Sequence, residues 1–176
     1  MAAGWSLRKA GPADADSLAL IGSATFLETF AGLLAGDAIV AHCARAHAAG
    51  TYRHILEEGG TAWLAEAEPG GAPIGYALLA KADLPGMATD GSDLELKRIY
   101  ALSRFHGSGL GAELMRSVIA EAEGQGAKRL LLGVFVGNKR ARAFYARQGF
   151  SEIAERRFQV GEQFYEDVVL ARSLRS

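Results

Sequence analysis

Gly107, Gly109 and Gly111 stand at alternate positions in Arg104-Phe105-His106-Gly107-Ser108-Gly109-Leu110-Gly111. Glycine has no Cβ, so such a run lets backbone come close to a ligand. An amphipathic helical pattern follows at once, Ala112-Glu113-Leu114-Met115-Arg116-Ser117-Val118-Ile119, and a strand-like run, Leu94 to Leu102, precedes it. Strand, glycine turn and helix together suit an anion, because the free N–H groups and the dipole of a helix N-terminus favour negative charge. The spacing is not the dinucleotide-binding Gly-x-Gly-x-x-Gly: the third glycine comes one residue early, past mid-chain. It is not a nucleotide P-loop either, since Ala112-Glu113 follows where Lys-Ser/Thr is needed.

Size and charge narrow the setting. A chain of 176 residues suits one domain, so residues 1–176 are read as a single unit, and 49% hydrophobic residues are enough for a sizeable core. Nineteen Lys plus Arg against 20 Asp plus Glu leave a net charge of -1, which gives no global attraction to nucleic acid or to an anionic membrane. The single cysteine, Cys43, can build neither an intrachain disulfide nor a cysteine zinc site. It lies among alanines in a predicted helix and reads as a buried structural thiol. His42, His47 and His54 lack metal-ligand spacing with carboxylates and read as structural or surface residues, so no metal is expected. Met1 to Ser6 lacks a basic stretch leading into an apolar core, and no apolar run reaches the ~18 residues of a membrane helix. A cytoplasmic protein is expected.

The elements that must position the glycine turn follow from periodicity and breakers. Trp5 to Lys9 alternates as a first strand, ended by Gly11-Pro12. Asp14 or Asp16 can cap a helix in which Leu18, Leu20, Ile21, Phe26, Leu27 and Phe30 recur at helical spacing, broken by Gly32 and Gly36. A second helix spans Asp37 to Ala49, closed by Gly50, with another turn or two over Tyr52 to Glu58. Thr61 to Glu68 and Ile74 to Ala82 make a hairpin across Pro69-Gly70-Gly71-Ala72-Pro73, and Asp83 to Ser92 is a loop. The helix after the glycine turn runs to about Glu123. Lys128 to Val136 has the continuous apolar core of a strand covered on both faces. Lys139 to Gln148 is helical, and Ser151 to Val160 and Gln163 to Ser173 are the last strands. The order β-α-α-β-β-β-α-β-α-β-β, without repeats or linker, predicts one mixed α/β domain.

Arg104-Phe105-His106-Gly107-Ser108-Gly109 resembles the Arg/Gln-x-x-Gly-x-Gly/Ala signature of the GCN5-related N-acetyltransferase (GNAT) superfamily. Asn138-Lys139-Arg140-Ala141-Arg142-Ala143-Phe144-Tyr145-Ala146-Arg147-Gln148-Gly149-Phe150 resembles its second hallmark. The likeness is close over residues 93 to 173, with an acetyl-CoA-binding core at about 93–150. It implies an α/β (mixed α+β) fold: a central, mostly antiparallel sheet of about seven strands with a splayed pair, flanked by about four helices. It also implies acetyl-CoA as co-substrate. The turn residues Arg104, Phe105, His106, Gly107, Ser108, Gly109, Leu110 and Gly111 would form the cofactor site, with the N–H groups of residues 105–111 on the pyrophosphate. The strand edge at Ile99, Tyr100 and Ala101 would pair with the pantetheine amides like an added strand, and a backbone N–H there would stabilise the oxyanion. Asn138 would hold the cofactor arm or the helix start, and Arg142 would reach a phosphate. Tyr145 would protonate the departing thiolate, and Glu95 would take the amine's proton directly or through water. Lys97 and Arg98 are read as solvated charges or as contacts to the 3′-phosphate.

The acceptor side is less defined. Phe26-Leu27-Glu28-Thr29-Phe30-Ala31, with Leu96 to Tyr100 and Phe158-Gln159-Val160-Gly161, is similar to the bacterial polyamine N-acetyltransferase branch. That likeness has Glu28 offering a carboxylate to a cationic amine, with Thr29, Phe30 and Tyr100 lining the pocket. The stretch Gly32 to Gly50 lacks the dense acidic residues a polyamine site prefers, so other small amines, peptide N-termini and aminoglycosides stay open. The expected partner is a small-molecule primary amine, with neither nucleic acid nor membrane. A homodimer is common in the family, though no sequence feature here shows one. The alternatives are a non-catalytic acyl-CoA-binding or regulatory protein, a peptide or protein amine as acceptor, and a succinyl or propionyl donor.

Overall fold

Alternating apolar residues and glycine breaks organise the chain around one sheet. The computed structural model describes residues 4–175; Met1–Ala3, part of the start read above as lacking a secretory signal, and Ser176 lie outside it. The elements are β1 (Gly4–Ala10), α1 (Ala15–Phe30), α2 (Gly36–Ala46), α3 (Ala49–Glu57), β2 (Thr61–Glu68), β3 (Pro73–Lys81), β4 (Asp93–Ala101), α4 (Leu110–Gly124), β5 (Arg129–Phe135), α5 (Lys139–Arg147), β6 (Ser151–Val160) and β7 (Gln163–Ser173), with short 3-10 turns at Pro12–Asp14 and Ser103–Phe105. The strands form one seven-stranded sheet in the order β1-β2-β3-β4-β5-β7-β6. Every neighbouring pair is antiparallel except β4 and β5.

Both faces of the sheet are covered. Leu130, Leu132 and Val134 of β5 pack with Leu110, Leu114, Met115 and Val118 of the α4 side, while Leu131 joins Val169 and Leu84 on the other face. This is the two-sided burial that a continuous apolar strand predicts. Leu18, Ile21 and Tyr52 of α1 and α3 pack against Leu64, Tyr76 and Leu78 of β2 and β3.

Two features of β4 prepare the site. Leu79 faces Leu96 and Leu78 faces Arg98, so Lys97 is an extra residue in a β-bulge. A bulge resets the alternation of side chains: Leu94, Leu96, Ile99 and Ala101 pack on the α4 side, and Tyr100 packs on the α1 side. The parallel pairing to β5 then covers only Asp93↔Arg129, Leu94↔Leu130 and Glu95↔Leu131. Arg129 ties the closed end with hydrogen bonds of 2.8 and 2.9 Å to the buried Asp93 carboxylate. Beyond Glu95 the strands part. β4 stays with β3 as far as Gly75↔Ala101, and β5 stays with β7 as far as Phe135↔Asp167.

The helical half departs from expectation in detail. α2 ends at Ala46, and Gly50 lies in the first turn of α3 instead of closing the previous helix. The break falls at His47, whose ring turns inward to the Tyr52 hydroxyl at 2.7 Å. Asp14 does not cap α1 with its side chain; its carboxylate accepts from Gly11 N–H at 2.8 Å and pairs with Arg8 at 2.8 Å.

Candidate active site

The parting of β4 and β5 opens a cleft of about 780 Å³ through the sheet. The glycine turn borders it on one side, and α1 and α2 on the other. Gly107 and Gly109 take the left-handed conformation, with φ of 79° and 87°. Within the turn the N–H groups of Phe105, His106 and Ser108 bond to Leu102, Ser103 and Phe105 carbonyls, and that of Leu110 to the Ser108 hydroxyl. The N–H groups of Gly107, Gly109, Gly111 and Ala112 find no protein acceptor among the described residues. The unpaired N–H groups are therefore fewer than the full run 105–111 and belong to the glycines and the first residue after them. Phe105 and Leu110 are buried anchors for the turn. Arg104 lies over the Phe105 ring at 4.9 Å and does not line the cleft, and neither does Ser108.

Gly107, Gly109 and Gly111 meet Ile99, Tyr100, Ala101, Asn138 and Tyr145 in the same cleft. Asn138 caps α5, its side-chain oxygen accepting from Ala141 N–H at 3.1 Å. Tyr145 is 8% exposed, and burial pushes its phenol far above the usual range, so it holds its proton at neutral pH. Burial likewise pushes Tyr100 up to about 12. Arg142 is not with them. It donates to the Val136 carbonyl and to Glu152, both at 3.1 Å, outside the cleft. Arg140, which the sequence did not single out for a site, lines the cleft and donates to the His106 ring. His106 Nε2 donates to the Ala101 carbonyl at 2.8 Å, which fixes the tautomer, because a carbonyl only accepts. The ring thus occupies part of the strand edge that a pantetheine would need.

Every carboxylate that lines the cleft is engaged. Glu28 lines the cleft, but its two oxygens accept from Ser103 N–H at 2.9 Å and Ser103 Oγ at 2.6 Å, pinning α1 to the turn after β4. Phe30 is buried beside Phe26, their ring centroids 4.6 Å apart. The buried Glu95 accepts at Oε2 from Lys97 Nζ at 3.0 Å and Asp83 N–H at 2.9 Å; Oε1 has no donor among the described residues. A second pair, Arg156–Asp167 at 3.1 Å, lies where a Cβ on Gly133 would collide with it. Burial raises the Asp167 carboxyl, and Arg156 offsets this only in part.

His42 and His47 are buried members of this wall rather than surface residues. Burial, helped by the Arg45 and Arg98 charges, lowers His42 to about 4, and burial with the Arg98 charge lowers His47 to about 3, so both rings are neutral at pH 7. Cys43 is partly buried in α2, its thiol raised by burial. No group of three or more His, Cys, Asp or Glu among the described residues could hold a metal.

The profile of the acetyltransferase (GNAT) family matches residues 29–150, which contain both the glycine turn and Tyr145. The chain belongs to this family. An uncharacterized N-acetyltransferase of Mycobacterium tuberculosis is 34% identical over 161 residues, covering 92% of this chain and 98% of the relative. Another, from Lactobacillus delbrueckii subsp. lactis, is 33% identical over 106 residues, 59% of this chain and 60% of its own. The GNAT fold recurs in PaiA N-acetyltransferase of Thermoplasma acidophilum, solved in complex with coenzyme A, with a TM-score of 0.77, 16% identity, and coverage of 97% of this chain and 99% of that one. A ribosomal-protein-alanine N-acetyltransferase of Brucella melitensis gives 0.70 at 22% identity, covering 96% and 99%. The chain is thus a GNAT acetyltransferase, and no helix among its described residues is long and apolar enough to cross a membrane.

Proposed function

We propose that this GNAT protein transfers an acetyl group from acetyl-CoA to a primary amine of a small molecule, by direct attack in a ternary complex. The observation that carries the proposal is the meeting, in one cleft, of free turn N–H groups, a strand edge without a partner, and a buried tyrosine. The fit to acetyl-CoA is chemical. The unpaired N–H groups of Gly107, Gly109, Gly111 and Ala112, at the start of the 15-residue α4, suit a pyrophosphate. The edge of β4 from Lys97 to Ala101, which β5 leaves unpaired, suits the amides of a pantetheine. When bound, acetyl-CoA supplies an activated acetyl carbonyl and a thiolate leaving group.

The protein's own residues do the rest. His106 must release the Ala101 carbonyl for that edge to become available. Tyr145 holds a proton inside the cleft and donates it where sulfur becomes negative. Glu95 accepts the amine's proton at Oε1, directly or through water, while Lys97 and Asp83 hold Oε2 in place. A polyamine acceptor draws little support from these residues, because Glu28 and the other carboxylates of the cleft already have partners.

The test is CoA release from acetyl-CoA with a panel of amines. Tyr145→Phe should lower kcat about 100- to 10,000-fold and leave the acetyl-CoA Kd unchanged. Tight acetyl-CoA binding without turnover on any amine would mark a binding protein instead.

A further inference from the structure

Arg98 is a charge in the cleft that the chemistry above leaves unused. It follows the bulge residue Lys97, so its side chain runs to the α1 face, with its guanidinium 5.0 Å from the centre of the Tyr52 ring. It lines the cleft beside His42, His47 and Tyr100. No carboxylate among the described residues pairs with it, although Lys97 and Arg156 each have one. Its Nη1 is buried without a hydrogen bond, and so is Nδ1 of His42, which stacks on Phe26 with centroids 4.4 Å apart. A half-buried guanidinium with no carboxylate beside it, and with one nitrogen cut off from both water and a hydrogen-bond partner, is costly to keep. An anion held in the cleft at Arg98 would lower that cost. Phe26, Phe30, Phe135 and Phe158 give the same wall an apolar part.

We infer that Arg98, assisted by His42, binds a carboxylate on the acceptor, so that the acceptor is an amino acid with an apolar or aromatic side chain rather than a simple amine. The inference rests on the amine acetyltransfer proposed above. Strand alternation gives it geometric sense. Arg98 immediately precedes Ile99 and Tyr100, where the acetyl group is expected, and successive strand residues advance by ~3.3 Å. A carboxylate held by Arg98 therefore leaves the amine of the same small molecule within reach of the acetyl carbonyl. The guanidinium suits a carboxylate because its planar fork can donate two parallel hydrogen bonds. The engaged acidic residues give a second cationic group nothing to bind.

Matched pairs that differ only by the carboxylate decide it: phenylalanine against phenethylamine and leucine against 3-methylbutylamine. Two readouts are taken with each, CoA release and the thermal shift produced by the N-acetylated product together with CoA. The carboxylate-bearing member should have a kcat/KM about 10- to 100-fold higher, the size expected of a charge-assisted hydrogen bond. Its N-acetyl product should give the larger thermal shift. Arg98→Met should abolish both preferences, and Arg98→Lys should keep part of them. Equal rates or equal shifts for the two members in the wild type, or a preference that survives Arg98→Met, overturn the inference while leaving the acetyltransferase function standing. A carboxylate-dependent thermal shift without turnover on any pair supports the anion site and overturns the proposed catalysis instead.

Discussion

Gly22→Ala looks stabilising on helix propensity alone, by about 1 kcal/mol, since Gly22 lies inside α1. The packing predicts the opposite. A Cβ there would stand 2.2 Å from the Tyr52 hydroxyl and 2.6 Å from His47 Nδ1, the two atoms whose 2.7 Å hydrogen bond joins the end of α2 to α3. Tyr52 is fully buried, so it cannot move aside into solvent. Overpacking costs about 1–3 kcal/mol, and separating a buried hydrogen-bonded pair costs about 1–3 kcal/mol more. After subtracting the helix term, the net loss is about 3 kcal/mol. In a domain of this size that lowers Tm by roughly 6–12 °C. Urea and thermal unfolding of the purified variant read this directly, and acceptor KM should rise while acetyl-CoA Kd stays the same, because His47 lines only the acceptor wall. A Tm equal to or above wild type would refute the packing argument.

Three further outcomes follow from the same geometry. Gly109→Val forces a β-branched residue into a left-handed turn, which costs about 1–2 kcal/mol and should weaken CoA binding measured by calorimetry without affecting acceptor affinity at saturating cofactor. Arg156→Ala leaves the buried Asp167 carboxylate unpaired and should lower stability in urea by about 3–5 kcal/mol, with Asp167→Asn in the same chain restoring part of the loss. His42 and His47, held near 4 and 3 by burial, bind protons more readily when unfolded; their contribution is complete above about pH 6.5 and is lost as pH falls to about 4 for His42 and about 3 for His47. Imidazole proton resonances of these two rings should therefore show no titration above pH 5, and a protonation step near 6.5 would contradict their burial.

The C-terminal half was legible because local signals agree there. Glycine breaks, the apolar run of β5 and the alternating strands placed Ser151–Val160 and Gln163–Ser173 at their observed bounds. Gly107, Gly109 and Gly111 stood out from their strand-turn-helix order and Tyr145 through the resemblance of Asn138 to Phe150 to the family's second hallmark; all four line the cleft. The acceptor wall was not legible in this way. His42 and His47 reach the cleft because α2 folds back over α1, and one helix's periodicity does not report that. Arg156 and Asp167 meet over Gly133 from three strands; the only local clue was charge at inward positions among Ala154, Phe158 and Val169. Arg140 and Arg142 are about 200° apart around α5, so only docking of that helix decides which one faces the glycine turn. Arg98 was legible as a charge, but the side of the sheet it takes depends on the bulge at Lys97, which no local signal marked.

A structure of the protein with CoA bound tests the central claim most directly. The pyrophosphate should lie within hydrogen-bonding distance of the Gly107, Gly109, Gly111 and Ala112 N–H groups. The pantetheine should run along Ile99 to Ala101, with the His106 ring turned away and the sulfur next to the Tyr145 hydroxyl. CoA bound elsewhere, or a pantetheine that avoids the opening between β4 and β5, would contradict it.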